Sequence, residues 1–352
     1  PAPPPTAGPA VKKLIEFGWG EPDTAFLRRH LARMEETPFD GCVFHVNYTR
    51  PDGSEGPFMW EAWSSRTFTG AEMERARQDL RAIGFRRFTH SFLRFNVVPG
   101  SVDWFDDFSP IVENARLAAE LAAEGRARGI LFDVEQYNAP LFTYAKQRHA
   151  AVKSWEAYAA QARRRGREVM DAFQRGFPGL TVFLTFGYSG PWLETQRGRT
   201  PLVQAEYGLL VPFLDGMVEA ADGATRLVDG YEPAYFHNKD LAAFARGRRT
   251  ITEEVLPLVA DPDKYRRLIS VAFGLWLDFE SPPRPWDPHD GARNFYTPEA
   301  FERSVRAALD AADEYVWIYS QTPRWWSAGG GPVQLPAGYA EGLRRARAGP
   351  AR

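Results

Sequence analysis

Short apolar runs alternate with longer amphipathic runs along the chain from Val11 onward. The short runs carry the Val, Ile, Leu and Phe residues typical of strands, whereas the longer runs are rich in Ala, Arg and Glu at helical spacing. Alternation of this kind predicts a parallel α/β fold. Eight strands are expected, at residues 12–19, 41–48, 86–96, 129–138, 180–188, 225–232, 268–279 and 315–321.

The segments between these strands favour a closed barrel over an open sheet. Helices are predicted at residues 24–36, 70–83, 109–128, 143–177, 202–221, 239–258, 262–267, 298–312 and 337–347. The long loops follow strands, on the face where barrel active sites are built. No GxGxxG turn follows the first strand, and no P-loop, HExxH, CxxC or GxSxG motif occurs. The sequence therefore predicts a single-domain (β/α)8 TIM barrel over residues 11–352, preceded by a Pro/Ala-rich linker at residues 1–10.

The composition narrows the class of protein. The chain has 43 Lys and Arg against 45 Asp and Glu, a net charge of −2, which argues against a nucleic-acid binder. The single cysteine, Cys42, excludes an internal disulfide and is expected to be buried. No run of 18 apolar residues occurs, so no membrane span is expected. The Pro/Ala-rich start fits a mature exported protein, and we expect a secreted or periplasmic location.

The sharpest chemical signal lies in the fourth predicted strand. Asp133 and Glu135 are two residues apart, so their side chains are expected on one face, directly after the apolar run 130–132. Two adjacent carboxylates repel each other, which raises the pKa of one of them. A carboxylic acid with a raised pKa can protonate a leaving glycosidic oxygen while an ionised partner supports it. The alternative is that both residues only bind loop amides or a nearby arginine.

The stretch GILFDVEQY resembles the strand-four signature DGxDxDxE of family 18 chitinases and their relatives. In that family the final Glu is the general acid and the Asp two residues before it assists the acetamido group of the substrate; Glu135 and Asp133 match these positions. Arg128 and Leu131 stand where the family has its two earlier Asp residues. Family 25 lysozymes and other barrel hydrolases also carry DxE on such a strand. The resemblance therefore implies a barrel glycoside hydrolase rather than one family.

Hydrolysis of a glycoside requires a second carboxylate across the scissile bond. The ends of the sixth and seventh predicted strands offer the candidates Asp229, Glu232, Asp278 and Glu280. Asp229 and Tyr231 share one face of the sixth strand, whereas Glu232 lies where the following loop begins. Glu232 or Asp229 could therefore serve as the base or nucleophile opposite Glu135, and the seventh-strand pair is a competitor.

Polar and aromatic side chains near the other strand ends are candidates for substrate binding, since they cluster on the expected rim of the barrel. The candidates are Trp19, His45, Asn47, His90, Tyr137, Tyr188, Asp229, Tyr231, His237, Trp276, Asp278, Trp317 and Gln321. Trp317 is similar to the sugar-platform Trp that family 18 enzymes have on their eighth strand. Four further tryptophans on predicted loops could line outer subsites: Trp60, Trp63, Trp325 and Trp326.

These features predict a glycoside hydrolase that cleaves an oligo- or polysaccharide. Glu135 is the predicted general acid, Asp133 its modulator or the nucleophile, and Glu232 the second carboxylate. No cofactor or metal is expected, because neither an HxH pair nor a His-x3-His spacing occurs. Two alternatives stay open: a metal-dependent hydrolase or lyase on the same barrel, and a carbohydrate-binding barrel without catalytic activity.

Overall fold

The computed structural model describes residues 12–19, 21–237, 239–279, 285–327, 333 and 335–348. The strands are β1 (Lys13–Gly18), β2 (Gly41–Phe44), β3 (Asn47–Thr49), β4 (Glu55–Pro57), β5 (Phe92–Asn96), β6 (Gly129–Asp133), β7 (Thr181–Leu184), β8 (Arg226–Asp229), β9 (Ile269–Val271), β10 (Phe273–Trp276) and β11 (Tyr315–Ser320). The α-helices are α1 (Thr24–Met34), α2 (Phe58–Glu61), α3 (Glu74–Ala82), α4 (Ser109–Glu124), α5 (Trp155–Gly176), α6 (Ser189–Glu194), α7 (Leu210–Ala220), α8 (Ala242–Arg249), α9 (Pro262–Leu268), α10 (Pro298–Ala311) and α11 (Ala337–Ala348). The predicted linker at residues 1–10 lies outside the described residues.

The main sheet closes into a barrel. Its strand order is β10-β11-β1-β2-β5-β6-β7-β8-β9, and the neighbouring strands pair in parallel. The two edge strands, β9 and β10, are consecutive in the chain and are separated only by Ala272, whose N–H donates to Asp229 O at 2.9 Å. They are thus two halves of one interrupted barrel strand. With helices between the strands, this confirms the predicted (β/α)8 TIM barrel.

The two faces of the sheet pack two separate parts of the core. One set of side chains fills the barrel interior: Ile15, Phe17, Val43, Phe92, Leu131, Phe183, Val228, Ala272, Tyr315 and Trp317. Their neighbours in the chain, such as Leu14, Cys42 and Ile130, point the other way and join the helices in a larger cluster. This two-residue period is the strand pleat. Cys42 is buried, as expected.

Several strands are shorter than the sequence predicts, and the differences move candidate residues. The predicted second strand, 41–48, ends as a barrel strand at Phe44, and Asn47 instead pairs antiparallel with Pro57 in a β3–β4 hairpin. The third strand begins only at Phe92, so His90 precedes it. The fourth strand ends at Asp133. Glu135 therefore lies in the following loop rather than within the strand.

One predicted helix, 143–177, is shorter in the structure, and side-chain hydrogen bonds hold the loop that stands in place of its first turns. The Tyr144 hydroxyl donates to Lys153 O at 2.9 Å, and the Tyr158 hydroxyl accepts from His149 N at 3.1 Å. α5 starts only at Trp155, where the Ser154 side chain accepts from Ala157 N as an N-cap. The helices in the described part of the chain do not combine the length and apolar character that crossing a bilayer demands.

Candidate active site

A cavity of about 310 Å³ opens at the carboxyl ends of the barrel strands, where TIM barrels build their active sites. The lining comes from the ends of the barrel strands and from the segment that follows β8. The lining residues are Phe17, Gly18, Trp19, Arg94, Asp133, Glu135, Tyr137, Thr185, Glu232, Tyr235, Phe236, Trp276, Trp317 and Tyr319. Carboxylates and aromatic rings dominate this list.

Three carboxylates reach the cavity from two elements. Asp133 ends β6 and is 1% exposed, and Glu135 lies two residues beyond it and is half-buried. Glu232 follows β8, where Tyr231 adopts a left-handed conformation with φ 42° and ψ 57° that turns the chain. The Glu232 N–H then donates to Thr185 O at 3.1 Å, which fixes the turn against β7. The structure thus brings the three predicted catalytic residues to one cavity.

The carboxyl groups of Glu135 and Glu232 hold their protons more tightly than ordinary glutamates. Burial raises the pKa of Glu135, and the nearby Asp133 carboxylate raises it further. Burial also raises the pKa of Glu232 well above its usual range, with Glu135 and Asp133 adding to the shift. Because the Glu135 charge raises the pKa of Glu232, the two carboxyls do not titrate independently. The pair therefore keeps a proton at pH values where exposed glutamates have lost theirs.

Arg94 is the buried cation beneath these acids. Its Nη1 donates to Glu21 Oε2 at 2.9 Å and its Nη2 donates to Asp133 Oδ2 at 2.7 Å. The Arg94 guanidinium also lies 5.0 Å from the ring centre of Phe17 and 5.2 Å from that of Trp60. Asp133 is therefore held as one partner of a buried ion pair, which fixes its carboxylate at the base of the cavity.

Tyr137 connects Asp133 to Glu135. Its hydroxyl oxygen lies 2.7 Å from Asp133 Oδ2 and 2.7 Å from Glu135 Oε2, and it accepts from Arg94 Nη2 at 3.0 Å. The Tyr137 ring packs edge-on against Trp60 with 4.8 Å between ring centres. Trp60 belongs to the short helix α2 and covers Arg94 and Tyr137 rather than lining the cavity.

Aromatic rings form the walls and the mouth of the cavity. Trp317 lies at the base, where its Nε1 donates to Gly230 O at 2.8 Å, and its ring contacts Tyr235 with 5.2 Å between centres. Trp19 and Phe236 at the mouth are 57% and 61% exposed. Flat apolar faces with carboxylates between them suit a ligand that has both apolar faces and many hydroxyl groups.

Four predicted binding residues from the β7–α8 region are packed away from this cavity. Asp229 is completely buried and accepts from the Ser189 hydroxyl at 2.8 Å and from Tyr231 N at 2.9 Å. The Tyr188 hydroxyl donates to Asp215 at 2.8 Å. His237 packs against Tyr231, and burial lowers the pKa of its imidazole to about 4. These side chains hold the loops after β7 and β8 in position.

The prediction that His90 lies at the mouth of the barrel is wrong. Because His90 precedes β5, it lies at the amino end of that strand, where its Nε2 is 3.3 Å from the Glu314 carboxylate just before β11. His45 and Asn47 do not line the cavity either. The Nδ1 of His45 is 3.8 Å from Glu21 Oε1, and the Asn47 amide donates to Asp23 at 3.2 Å.

Asp278 supports the loop after β11 instead of lining the cavity. Its carboxylate accepts from Gln321 N at 2.9 Å, from Thr322 N at 2.8 Å and from Trp276 Nε1 at 3.0 Å. Gln321 thus contributes a backbone contact, and Trp276 is oriented toward the cavity. Glu280 lies outside the described residues. The loop tryptophans expected to line outer subsites are packed inside instead: Trp63, Trp325 and Trp326 are buried.

Sequence reasoning missed Arg94, Tyr235 and Tyr319 at the cavity. Arg94 carries the strongest overlooked signal, because a charged residue within the apolar run Phe92–Asn96 needs a buried partner. Tyr319 is two residues after Trp317 on β11 and so shares its inward face. In the described part of the chain, no cluster of three His, Cys, Asp or Glu side chains could hold a metal ion.

Several solved structures with similar backbones are glycoside hydrolases. A broad-specificity GH5-4 endoglucanase from an uncultured bacterium matches with a TM-score of 0.51 and 14% identity over 94% of this chain and 86% of the other. A glycoside hydrolase family 5 enzyme from Prevotella bryantii B14 matches with a TM-score of 0.47 and 12% identity over 94% and 88% of the two chains. The catalytic domain of a Pyrococcus furiosus chitinase matches with a TM-score of 0.45 and 11% identity over 97% of both chains.

At such low sequence identity the endoglucanase match supports the barrel fold alone. The two matches with TM-scores below 0.5 support nothing further. No protein-family model and no curated protein matches the chain. The resemblance to family 18 is therefore not confirmed.

Proposed function

We propose that the protein is a glycoside hydrolase that cleaves an oligo- or polysaccharide. The observation that carries the proposal is the pair Glu135 and Glu232, which reach one aromatic-walled cavity from the ends of two different barrel strands, where burial raises the pKa of both carboxyl groups. Two carboxyl groups flanking a glycosidic bond, one protonated and one ionised, are the minimal equipment for its hydrolysis. The exposed rings of Trp19 and Phe236 offer stacking faces for sugar units at the mouth.

In the proposed reaction Glu135 is the general acid. Its proton passes to the glycosidic oxygen as the bond between that oxygen and the anomeric carbon breaks. Glu232 either attacks the anomeric carbon or takes a proton from the water that does so, and the net reaction consumes one water molecule. Asp133 stays ion-paired with Arg94, and burial together with the negative charge of Asp133 raises the pKa of the Glu135 carboxyl.

A screen of the wild-type protein against neutral, amino and uronic-acid polysaccharides, read by product mass, tests this proposal. We expect shortened products, each fragmentation accompanied by the gain of one water, and no shortening with Glu135→Gln. Glu253→Gln is the matched control, because Glu253 follows α8 in the sequence, is exposed and does not line the cavity. Binding of sugars without any product after long incubation would instead favour a carbohydrate-binding barrel.

A further inference from the structure

The Tyr137 hydroxyl makes more short contacts with carboxyl oxygens than its single proton can satisfy. Its hydroxyl oxygen is 2.7 Å from a carboxyl oxygen of Asp133 and 2.7 Å from one of Glu135. Both separations are typical of O–H···O hydrogen bonds, each of which needs a proton between the oxygens. A phenol has only one proton to donate. One of the two carboxyl groups must therefore supply the other.

The position of Arg94 decides which carboxyl carries that proton. Its Nη2 donates to Asp133 Oδ2 at 2.7 Å, the same oxygen that faces the Tyr137 hydroxyl. This oxygen is thus one partner of a buried salt bridge with the guanidinium. The described structure shows no ion pair between Glu135 and an arginine or lysine. The second proton therefore belongs to Glu135, whose O–H donates to Tyr137 while Tyr137 donates to Asp133.

We propose that Tyr137 is a positioning residue with two hydrogen-bonding states, accepting from the Glu135 acid before proton transfer and donating to the Glu135 carboxylate afterwards. In the first state the hydroxyl of Tyr137 points to Asp133. When the Glu135 proton moves to the glycosidic oxygen, Tyr137 keeps its own proton and turns it from Asp133 to Glu135. The Tyr137–Asp133 separation then lengthens, because no proton lies between these oxygens, while Arg94 continues to hold Asp133. This assignment rests on the proposed function, since it names how one acid of that site is controlled.

Removing the hydroxyl should make Glu135 a weaker acid. A hydrogen bond to an ionised carboxylate is stronger than one from a neutral acid, so Tyr137 stabilises the ionised form of Glu135 more than the protonated form. Burial and Asp133 act in the opposite direction and raise the Glu135 pKa. The other charged or titratable groups that act on Glu135 or are acted on by it are Arg94, Glu232, Tyr207, Tyr235 and Tyr319. Of these groups only Arg94 bonds the Tyr137 hydroxyl, and in Tyr137→Phe it keeps its bonds to Glu21 and Asp133.

The experiment compares wild type, Tyr137→Phe and Tyr144→Phe. Tyr144 is the matched control, since its hydroxyl bonds Lys153 O in a loop outside the cavity. For Tyr137→Phe we expect the basic limb of the pH–kcat profile to move up by roughly half to one pH unit and kcat to fall roughly three- to tenfold for substrates with poor leaving groups. KM should change little. A limb that stays in place or moves down, or a loss confined to KM, would overturn the assignment.

A second readout needs no substrate. Infrared titration of the carboxyl carbonyl band, assigned to Glu135 by its loss in Glu135→Gln, should show the band persisting to higher pH in Tyr137→Phe than in wild type. It should disappear at lower pH in Asp133→Asn, because the charge that raises the Glu135 pKa is then removed. A Glu135 band unchanged in Tyr137→Phe overturns the inference even if glycosides are cleaved. The expected band shifts without any cleavage would reject the proposed function and leave the role of Tyr137 standing.

Discussion

At the scale of single residues, the site depends on one buried cation that serves two buried acids. Arg94 bonds Glu21 and Asp133 at once, and its own side chain is almost completely enclosed. Burying these charges is costly, and the attraction between them offsets the cost only while all partners are present. Removing Arg94 would leave two carboxylates in a medium that cannot solvate them. The fold and the charge state of the cavity therefore depend on the same guanidinium.

Replacing Arg94 with leucine tests this dependence. We expect Arg94→Leu to lower the free energy of unfolding by about 3–5 kcal/mol, because it leaves buried charges without a partner. Arg75→Leu is the control: Arg75 forms an exposed ion pair with Glu55 at 2.8 Å, which contributes about 0–1 kcal/mol. Urea denaturation at pH 7 measures both. Equal small losses in the two variants would show that the Arg94 cluster does not stabilise the fold.

At the scale of strands and helices, the centres of the strands follow from the sequence and their ends do not. The apolar runs predict the eight barrel strands because burial on both faces selects Val, Ile, Leu and Phe. The exact ends depend on long-range contacts, such as the β3–β4 hairpin that draws Asn47 away from the barrel. A residue chosen because it lies near a predicted strand end can therefore lie several residues away from the real end of the strand. The sequence pattern puts His90 at the wrong end of its strand, because that strand begins only at Phe92.

The catalytic candidates were more predictable than the binding candidates. Asp133 and Glu135 follow an apolar run directly, and their two-residue spacing was sufficient to place both at the cavity. The inward turn of Glu232 depends on the left-handed conformation of Tyr231, which a bulky residue seldom adopts and which the sequence does not announce. Arg94 was overlooked because its two acidic partners come from distant segments.

Strand β1 carries a buried acid that gives the fold its own pH dependence. Glu16 is 4% exposed among the outward-facing residues of β1, and burial, followed by the charge of Glu21, raises its pKa to about 8. An acid whose pKa is higher in the folded state stabilises the fold at pH values below its unfolded pKa, near 4.5. That contribution is progressively lost as the pH rises to about 8.

Replacing Glu16 with glutamine should remove this pH dependence. Between pH 5 and pH 9, we expect the free energy of unfolding of the wild type to fall by of order 3–5 kcal/mol more than that of Glu16→Gln. Chemical denaturation at several pH values provides the comparison, with Glu253→Gln expected to behave like the wild type. Parallel pH curves for wild type and Glu16→Gln would mean that Glu16 is ionised in the folded protein.

At the scale of the whole molecule, barrel closure assembles the cavity from distant parts of the sequence. β6 and β8 flank β7 in the sheet, so Glu135 and Glu232 meet although almost a hundred residues separate them. The net charge of −2 gives no sign of this local concentration of acids. A secreted or periplasmic location stays a prediction.

The most direct test of the central claim compares leaving groups on one sugar. The claim is that Glu135 donates a proton to the glycosidic oxygen, and that Glu232 either attacks the anomeric carbon of the same bond or takes a proton from the water that attacks it. A phenol with strong electron-withdrawing groups leaves without protonation, whereas a sugar or alkyl alcohol does not. Loss of a general acid typically costs about 10²- to 10⁴-fold when the leaving group needs its proton.

The experiment measures kcat/KM for Glu135→Gln and Glu232→Gln on two kinds of substrate. One is an activated aryl glycoside, and the other is the matching alkyl glycoside or oligosaccharide. We expect kcat/KM of Glu135→Gln, which reports the step that cleaves the bond, to fall at least about 10²-fold on the oligosaccharide, yet to stay at or near the wild-type value on the aryl glycoside. Glu232→Gln should be inactive on both substrates. Equal losses on both substrates in Glu135→Gln, or wild-type rates on both in either variant, would contradict the account.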